Sequence, residues 1–432
     1  MRVLMFGWEF PPHISGGLGT ACYGLTRGLS HIPNLDVIFV VPKSYGDEDQ
    51  RSIKLVGANQ IPVVQRRLKV SHFNKPIDYI EVGTKLVPYI DPEDYWRITR
   101  AEVSGSLRTV QTNHEGKIDF SGKYGADLLR EISDYALVAN VIAQDHEFDI
   151  IHAHDWLAYP AGIAAKEATG KPLVVHVHAT DFDRSGGSVN PTVYEIEKRG
   201  METADKVITV SNLTRSIVIE KYGIPEHKVV TVYNAVDPLI DSEVGHIEKG
   251  VNEKIVTFLG RITMQKGPEF FIEAAHKVIQ KMDNVRFVMA GSGDMMEKMI
   301  RRAAELKITH KFHFTGFLRG NNVFHMLKIS DLYVMPSVSE PFGISPLEAM
   351  QSNVPVLISH QSGVAEILTY ALKTNFWDVD AMADAIFAVL NYPALSKMFK
   401  THGKIEVDNL QWESSARKVK EVYDAALQSA NA

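Results

Sequence analysis

The sequence predicts an α/β protein with two doubly wound, Rossmann-like domains that face each other across a deep cleft. Strand and helix patterns alternate in both halves of the chain, which is typical of parallel sheets covered by helices. The chain has 432 residues, more than one ordinary domain. A polar stretch between Val236 and Glu253 has little periodicity. We therefore assign residues 1–236 to the first domain and 237–412 to the second.

Several predicted strands are continuous apolar runs, as expected where both faces of a parallel sheet are buried. In the first half the strands are Val3–Phe6, Val37–Val41, Ile150–His154, Leu173–Val177, Lys206–Val210 and Val229–Val232. Helix patterns there cover Gly19–Leu29, Leu128–Ala143, Pro160–Ala168 and Val193–Ala204. The polar, turn-rich stretch Lys43–Gly125 predicts an inserted hairpin or a mobile excursion.

The second half repeats the alternation. Its predicted strands are Lys254–Gly260, Val285–Ala290, Lys311–Phe314, Leu332–Met335 and Val354–Ile358, and a last helix covers Glu413–Leu427. Ligands of such sheets bind beyond the carboxyl ends of the strands. We therefore expect the functional residues in the turns that follow strands.

Bulk composition excludes several classes of protein. Hydrophobic residues make up 45% and charged residues 23%, which is ordinary for a globular protein. The net charge of −6, with scattered basic residues, argues against a nucleic-acid partner. The single cysteine, Cys22, excludes an internal disulfide and fits a reducing compartment. Without a signal peptide or an apolar run of roughly 20 residues, we expect a cytoplasmic protein with no membrane span.

The segment from Glu340 to Glu348 is the most informative part of the chain. Glu340 precedes a Pro-Phe-Gly turn, and Glu348 lies one turn into the predicted next helix. Gly343 lets the backbone approach a ligand closely, and Pro346 suits the first turn of a helix. A diphosphate could dock at that helix end, flanked by the two acids. A purely structural use of both carboxylates is the alternative.

Two further turns carry groups suited to phosphate. Gly16, Gly17 and Gly19 follow the first strand and precede a predicted helix, so their amides could meet a phosphate or a sugar. This is neither a dinucleotide fingerprint nor a P-loop. In the second half, Arg261 and Lys266 follow a strand and could bind a diphosphate. A cation about 4 Å from an anion gains roughly 4 kcal/mol of electrostatic energy, which would stabilise a departing phosphate. Gly291 begins another close-approach turn.

Two His-x-His pairs end neighbouring predicted strands. Because side chains alternate along a strand, His152 and His154 share one face, as do His176 and His178. A metal site is one reading, since imidazole binds Zn²⁺ and related ions, but no spacing matches the known zinc patterns. We expect His152 and His176 to be hydrogen-bonded core residues. His178 and Asp155 can reach a cleft, while Asp181–Asp183 reads as a loop.

This ordered set of motifs resembles retaining nucleotide-sugar glycosyltransferases of the two-domain GT-B architecture, and among them the bacterial and archaeal glycogen/starch synthases. The resemblance covers nearly the whole chain, from Gly16-Gly17 through His154-Asp155-Trp156 and Arg261…Lys266 to Glu340…Glu348. Asn234-Ala235-Val236-Asp237 resembles the Asn-Gly-Val-Asp segment that precedes the interdomain linker in that family. The resemblance also implies that a helix near 413–432 packs back on the first domain.

The resemblance implies a role for each matching residue. Arg261 and Lys266 would bind the donor diphosphate, Glu340 would lie beside the anomeric carbon, and Glu348 would hold the ribose hydroxyls. His178 would contact the donor sugar, with Asp155 near the sugar or the acceptor. The other residues matched to donor binding are Gly16, Gly17, Gly291, Phe342, Gly343 and Ile344. No metal or other cofactor is implied, because cations and helix ends would neutralise the phosphates.

The sequence departs from that family in the first glycine turn. Synthases that use ADP-glucose commonly carry Lys-x-Gly-Gly there, whereas Ile14 occupies the lysine position and Ser15 precedes Gly16-Gly17. This leaves ADP-glucose and UDP-glucose both open as donors. The segment Asp181–Gly187 matches no known role.

The sequence therefore predicts a retaining hexosyltransferase that moves glucose from a nucleotide diphosphate sugar to an α-glucan. A transferase of the same fold with another glycan, lipid or small-molecule acceptor is the first alternative. A nucleotide-sugar epimerase, a metal-dependent hydrolase built on the His-x-His pairs and a non-catalytic sugar-binding protein are the others.

Overall fold

The computed structural model describes residues 1–14, 16–63, 112–125, 127–239, 245 and 247–430, together with the backbone of 68–72 and 75–79. Two parallel sheets, each covered by helices, organise these residues. This confirms the predicted fold class. Ser15 and most of 64–111, on which parts of the sequence analysis rest, lie outside the described residues.

The first sheet has seven strands, ordered β3-β2-β1-β6-β7-β8-β9, and every pairing in it is parallel. Its strands are β1 (Arg2–Phe6), β2 (Asp36–Val41), β3 (Lys54–Gly57), β6 (Ile150–His154), β7 (Leu173–Val177), β8 (Lys206–Thr209) and β9 (Val229–Thr231). Strands β1, β6 and β7 are buried almost throughout, as the continuous apolar runs predict. Between β3 and β6, the strands β4 (Leu68–His72) and β5 (Lys75–Tyr79) form an antiparallel pair.

The described helices of this domain differ in length from the predicted ones. They are α1 (Gly17–Ser30), α2 (Leu128–Asp145), α3 (Asp155–Thr169), α4 (Asp181–Ser185), α5 (Pro191–Thr203) and α6 (Asn212–Tyr222). Helix α3 begins five residues before the predicted Pro160, and α1 already begins at Gly17. The prediction that Asp181–Asp183 forms a loop is wrong. Asp183 accepts hydrogen bonds from the backbone and hydroxyl of Thr180, each 2.8 Å long, and so caps a short helix.

The second sheet has six parallel strands in the order β12-β11-β10-β13-β14-β15. They are β10 (Lys254–Leu259), β11 (Val285–Ala290), β12 (Phe312–Gly316), β13 (Leu332–Met335), β14 (Val356–Ser359) and β15 (Leu372–Thr374). Two strands, β3 and β15, escape the sequence analysis because they are short and only partly buried at sheet edges. The helices are α7 (Pro268–Ile279), α8 (Met296–Glu305), α9 (Asn321–Lys328), α10 (Ser345–Gln351), α11 (Val379–Asn391) and α12 (Pro393–Asp408).

The last helix, α13 (Trp412–Ala430), packs against the first domain. A side chain at Gly24 of α1 would begin 2.1 Å from the Trp412 ring, so glycine there permits close helix packing. The Tyr423 hydroxyl lies 2.6 Å from Nδ1 of His152 on β6. The chain thus ends on the domain in which it begins. Among the described residues, no helix is long and apolar enough to cross a membrane.

Candidate active site

Glu340 lies in the turn after β13 and is held by several groups. Glu340 is only 7% exposed, and its Oε2 forms an ion pair with Nζ of Lys266. The Ser337 hydroxyl donates to the same oxygen over 3.2 Å. The Glu340 backbone is fixed on both sides, to the carbonyl of Gln361 and the amide of Gly363, each over 2.9 Å. The carboxylate is therefore charge-balanced and rigidly placed before any substrate binds.

The turn after Glu340 needs glycine at position 343. Gly343 has φ +101°, and a Cβ there would lie 3.1 Å from Met335 and 3.2 Å from Cγ of Glu340. Phe342 is 3% exposed and anchors the turn in the core. Ile344 then precedes α10, in which Pro346 occupies the first turn, as predicted. Within the described residues, no side-chain cap is seen at this helix end.

Glu348 lies in the first turn of α10 in a different environment from Glu340. The surrounding protein desolvates its carboxyl group and raises its pKa to about 7. Among the described residues, no side chain or backbone group donates a hydrogen bond to the Glu348 carboxyl group. Burial raises the pKa of the Tyr333 phenol, and the nearby charges of Glu340 and Glu348 raise it further. Both carboxylates thus lie near the same phenol.

After β10, Arg261 precedes a turn of 3₁₀ helix, Met264–Lys266, and Lys266 is the last residue of that turn. Arg261 is exposed, and its Nη2 donates to Oε1 of Gln265 over 3.2 Å. Gln265 in turn donates to the Ser339 carbonyl over 3.1 Å. The cationic turn is thereby tied to the turn that carries Glu340.

Gly291 permits a close approach of two turns of the protein itself. A Cβ at this position would lie 1.8 Å from the Gly260 carbonyl oxygen. The structure therefore gives Gly291 a packing role beside Arg261. Its contact with a donor stays a prediction.

In the first domain, Gly16 and Gly17 are exposed at the start of α1, and open space surrounds the positions where a Cβ would stand. Among the described residues, no side-chain cap is seen at this helix start. Free amides at a helix start can bind an anion, and the contact of Gly16 and Gly17 with a donor stays a prediction. Gly19, by contrast, is buried, and a Cβ on it would meet Ile14 at 2.3 Å.

Asp155 lies beneath His178 and supports its backbone. The Asp155 carboxylate accepts the amide hydrogens of His178 and Ala179 over 2.7 and 3.3 Å, and Arg184 lies 3.6 Å from its other oxygen. Asp155 is 5% exposed, so its carboxylate acts within the protein and does not project as far as predicted from the sequence. Burial lowers the pKa of His178, while the charge of Asp155 raises it.

The four histidines of the His-x-His pairs lie side by side in an array at β6 and β7, with His152, His154 and His176 buried and His178 partly exposed. The rings of His152 and His176 stack with centroids 5.4 Å apart, and Nδ1 of His154 lies 2.9 Å from Nε2 of His178. The expectation that His176 is a hydrogen-bonded core residue is wrong, because neither of its ring nitrogens has a hydrogen-bond partner in the described part of the chain. For His152 the expectation holds at Nδ1, which contacts the Tyr423 hydroxyl, but not at Nε2.

The burial of this array has an electrostatic consequence. Burial lowers the pKa values of His152, His154 and His176 well below the usual value, and the neighbouring imidazoles add to the effect. These three side chains are therefore neutral at pH 7. Potential ligand atoms of His152, His154 and His176 lie within 4.8 Å of one another, and those of Cys22, His154 and His178 do as well.

Two contacts bring the site residues of the domains together. Ser339, next to Glu340, donates a 2.6 Å hydrogen bond to Asp183 of α4. The carboxylate of Glu366 accepts the amide hydrogens of Asn212 and Leu213 at the start of α6, over 2.9 and 2.7 Å. The sequence did not indicate that Asp183 and Glu366 connect the two domains. The spacing of Thr180 and Asp183 resembles a capping box, which could have indicated α4, but no local signal reveals a partner in the other domain.

Two glycosyltransferase families match the chain. The family described as Glycosyltransferase Family 4 matches residues 104–238, and the family described as Glycosyl transferases group 1 matches residues 241–406. The second match contains Arg261, Lys266, Glu340 and Glu348, and the first contains Asp155 and His178.

Similar proteins span the whole chain. An uncharacterized glycosyltransferase of Methanocaldococcus jannaschii is 28% identical over 99% of each chain. A glycogen synthase of Mycobacterium tuberculosis is 23% identical, covering 99% of this chain and 95% of its own. Among solved structures, sucrose-phosphate synthase from Thermosynechococcus elongatus superposes with a TM-score of 0.67 at 16% identity and 99% coverage of both chains. Anabaena HepE, solved with UDP and glucose, gives 0.65 at 15% identity, covering 98% of this chain and 100% of its own.

Proposed function

The chain is a GT-B glycosyltransferase, and we propose that it transfers glucose from a nucleotide diphosphate sugar to the end of an α-glucan with retention of configuration. The observation that carries this proposal is the ion pair between the buried Glu340 and the partly buried Lys266. Lys266 and Glu340 are already paired in the free protein. When a donor binds, the lysine would face the leaving phosphate and the glutamate would face the sugar.

In this proposal the leaving diphosphate is stabilised by fixed charges. Arg261 and Lys266 would contact its oxygens, together with amides of the turn at Gly343 and of the uncapped start of α1 at Gly16 and Gly17. Such preorganised donors act most strongly where charge develops during the reaction. The diphosphate itself would accept the proton of the acceptor hydroxyl, so no separate base is needed.

The sugar and the nucleotide would be held by the remaining groups. Glu340 would orient the donor sugar and stabilise positive charge that develops at its anomeric carbon, and His178 would bind a sugar hydroxyl. Glu348 would accept hydrogen bonds from the ribose hydroxyls, which suits a carboxyl group without a protein partner among the described residues. Closure of the cleft around the donor would exclude water and suppress hydrolysis.

Two substitutions test the assignment directly. Glu340→Gln and Lys266→Ala should each lower glucan extension by about 100-fold or more, because each removes a charge from the reacting centre. Matched controls are Glu305→Gln and Lys281→Ala, which remove surface members of ion pairs. Circular dichroism would verify folding. Turnover like that of the wild type in either site variant would refute the assignment.

A second candidate, a transferase with another donor or acceptor, is favoured by Ile14. This side chain is 37% exposed beside the glycine turn, and it places an apolar surface where the family it resembles commonly has lysine. Thermal-shift screening against ADP-, UDP- and GDP-sugars would identify the donor. Extension assays with the best donor on glycogen, small sugars and lipid acceptors would then separate the two functions.

A further inference from the structure

Segment Thr180–Gly187, which contains α4, has no place in the proposed chemistry, yet it is built with many buried polar contacts. Arg184 donates to Glu197 and to the Ala179 carbonyl, each over 2.9 Å. The Asp181 carboxylate accepts the amide hydrogen of Asn190 over 2.5 Å. These contacts fix the segment to the first domain, immediately after His178.

Asp183 of this segment forms a hydrogen bond with the second domain. It is 1% exposed, and one carboxylate oxygen is satisfied locally by the amide and hydroxyl of Thr180. Its other oxygen accepts the hydroxyl hydrogen of Ser339 over 2.6 Å. A buried carboxylate requires such partners, and hydrogen bonds to a charged acceptor are stronger than neutral ones. Because Asp183 belongs to the first domain and Ser339 to the second, their hydrogen bond forms only when the two domains are in contact.

The same segment also touches the cationic turn. A Cβ on Gly186 would lie 2.4 Å from the terminal methyl of Met264, which stands between Arg261 and Lys266. Segment Thr180–Gly187 therefore contacts both second-domain turns that supply reacting charges. It does so while remaining fixed to the backbone that carries His178.

We propose that Asp183 and Ser339 are positioning residues, whose hydrogen bond latches segment Thr180–Gly187 onto the turns of Glu340 and Lys266 when the domains close. This hydrogen bond between Asp183 and Ser339, which we call the latch, holds His178 and Glu340 against the same donor sugar. Its effect on catalysis rests on the proposed function, whereas its effect on domain closure does not.

The decisive variant is Ser339→Ala. It removes the bonding hydroxyl but leaves in place the cap of α4 and the hydrogen bond from Gln265 to the carbonyl of residue 339. We expect kcat for transfer to fall by about tenfold, the value of one charge-assisted hydrogen bond. The KM for the donor should change by less than about twofold, and the ratio of donor hydrolysis to transfer should rise. Ser339→Thr, which restores a hydroxyl, should recover most of kcat.

A double-mutant cycle separates the latch from local effects. Asp183→Ala combined with Ser339→Ala should cost no more than Asp183→Ala alone, because both remove the same bond. Ser185→Ala is the matched control, since the Ser185 hydroxyl bonds within the segment, to the Asp181 carbonyl. It should keep wild-type kcat. Additive losses in the cycle, or loss in the control equal to that of Ser339→Ala, would overturn the proposal.

Small-angle X-ray scattering tests closure without any assay of activity. With saturating UDP or ADP, Ser339→Ala should have a larger radius of gyration than the wild type. If the variant expands but the Glu340→Gln enzyme transfers sugar normally, the latch stands and the proposed function fails. A radius and a kcat that both match the wild type would overturn the latch.

Discussion

At the residue scale, the site separates two carboxylates by their surroundings. Glu340 is charge-balanced by Lys266 and receives the Ser337 hydroxyl. The carboxyl group of Glu348, eight positions later, has no hydrogen-bond partner among the described residues, and desolvation raises its pKa to about 7. The folded protein therefore keeps the Glu348 carboxyl group where its charged form is unfavourable. A ligand that donates hydrogen bonds, such as a ribose, would relieve that cost.

This cost predicts the behaviour of Glu348→Gln. A glutamate carboxyl group ordinarily has a pKa of 4.5, and burial in the folded protein raises the pKa of Glu348 to about 7. Between these pH values the unfolded chain loses the proton first, so wild-type stability falls as pH rises. The variant lacks this penalty. We expect its melting temperature to exceed that of the wild type by a few degrees at about pH 8, but not near pH 4.5.

The measurement is a thermal melt across that pH range, with and without the donor found by screening. Donor-induced stabilisation should be weaker in Glu348→Gln, since the amide is a poorer acceptor for ribose hydroxyls. Exposed Glu421 offers a control, and Glu421→Gln should show neither effect. A Glu348→Gln protein that melts like the wild type at pH 8 would contradict the assigned environment.

At the element scale, strands β6 and β7 carry imidazoles into a core that cannot accept their charge. The sequence pattern places each pair on one face, and the pairing of the strands brings the faces together. Three of these side chains, His152, His154 and His176, have ring nitrogens without a hydrogen-bond partner. Such groups are expensive in a folded protein.

The array predicts acid sensitivity. Because the folded pKa values of His152, His154 and His176 are depressed, the unfolded chain binds more protons below about pH 6.5. Stability is therefore full above that pH and is lost as pH falls. His176→Phe removes one titrating group, one with no hydrogen bond to lose, and should move the acid-unfolding midpoint to lower pH.

Urea unfolding measured between pH 4 and 8 checks this prediction. His310→Phe changes an exposed histidine and should leave the acid midpoint in place. If His176→Phe unfolds at the same pH as the wild type, the array does not limit acid stability.

At the scale of the whole molecule, the two domains are joined by more than their linker. Helix α13 returns to the first domain, where Trp412 packs on α1 and Ser415 donates to the Tyr233 carbonyl over 2.7 Å. Across the cleft, Ser339 meets Asp183 and Glu366 meets α6. The stability of the first domain thus depends on the end of the chain.

This dependence predicts the effect of truncation. A chain that ends at Gln411 lacks α13 and exposes the apolar face that α13 covers, including the surface beside Leu25 and Leu29. We expect poor solubility or a first melting transition at a much lower temperature, seen by calorimetry. A chain that ends at Leu427 loses the exposed helix residues 428–430, together with 431 and 432, and should melt like the full chain. Equal melting of both truncated chains would show that α13 adds nothing.

The sequence by itself determined the two parallel sheets and the turns that carry Arg261, Lys266, Glu340 and Glu348. Continuous apolar runs and glycine-rich turns after strands are local signals, and they hold wherever a buried parallel sheet forms. Local patterns did not reveal β3 and β15, which contain no buried apolar side chain. They also could not give the energetic state of a buried group such as His176.

The tertiary structure alone decided which groups meet. The bond between Asp183 and Ser339 joins residues 156 positions apart, and the contact of Tyr423 with His152 spans 271 positions. No local pattern encodes such a pair, because each partner has an ordinary neighbourhood in the sequence. Burial supplies the constraint, since a carboxylate or imidazole removed from water must find whatever partner the packed domains bring to it. The sequence thus located the charged turns, and the packing of the two domains decided how they act together.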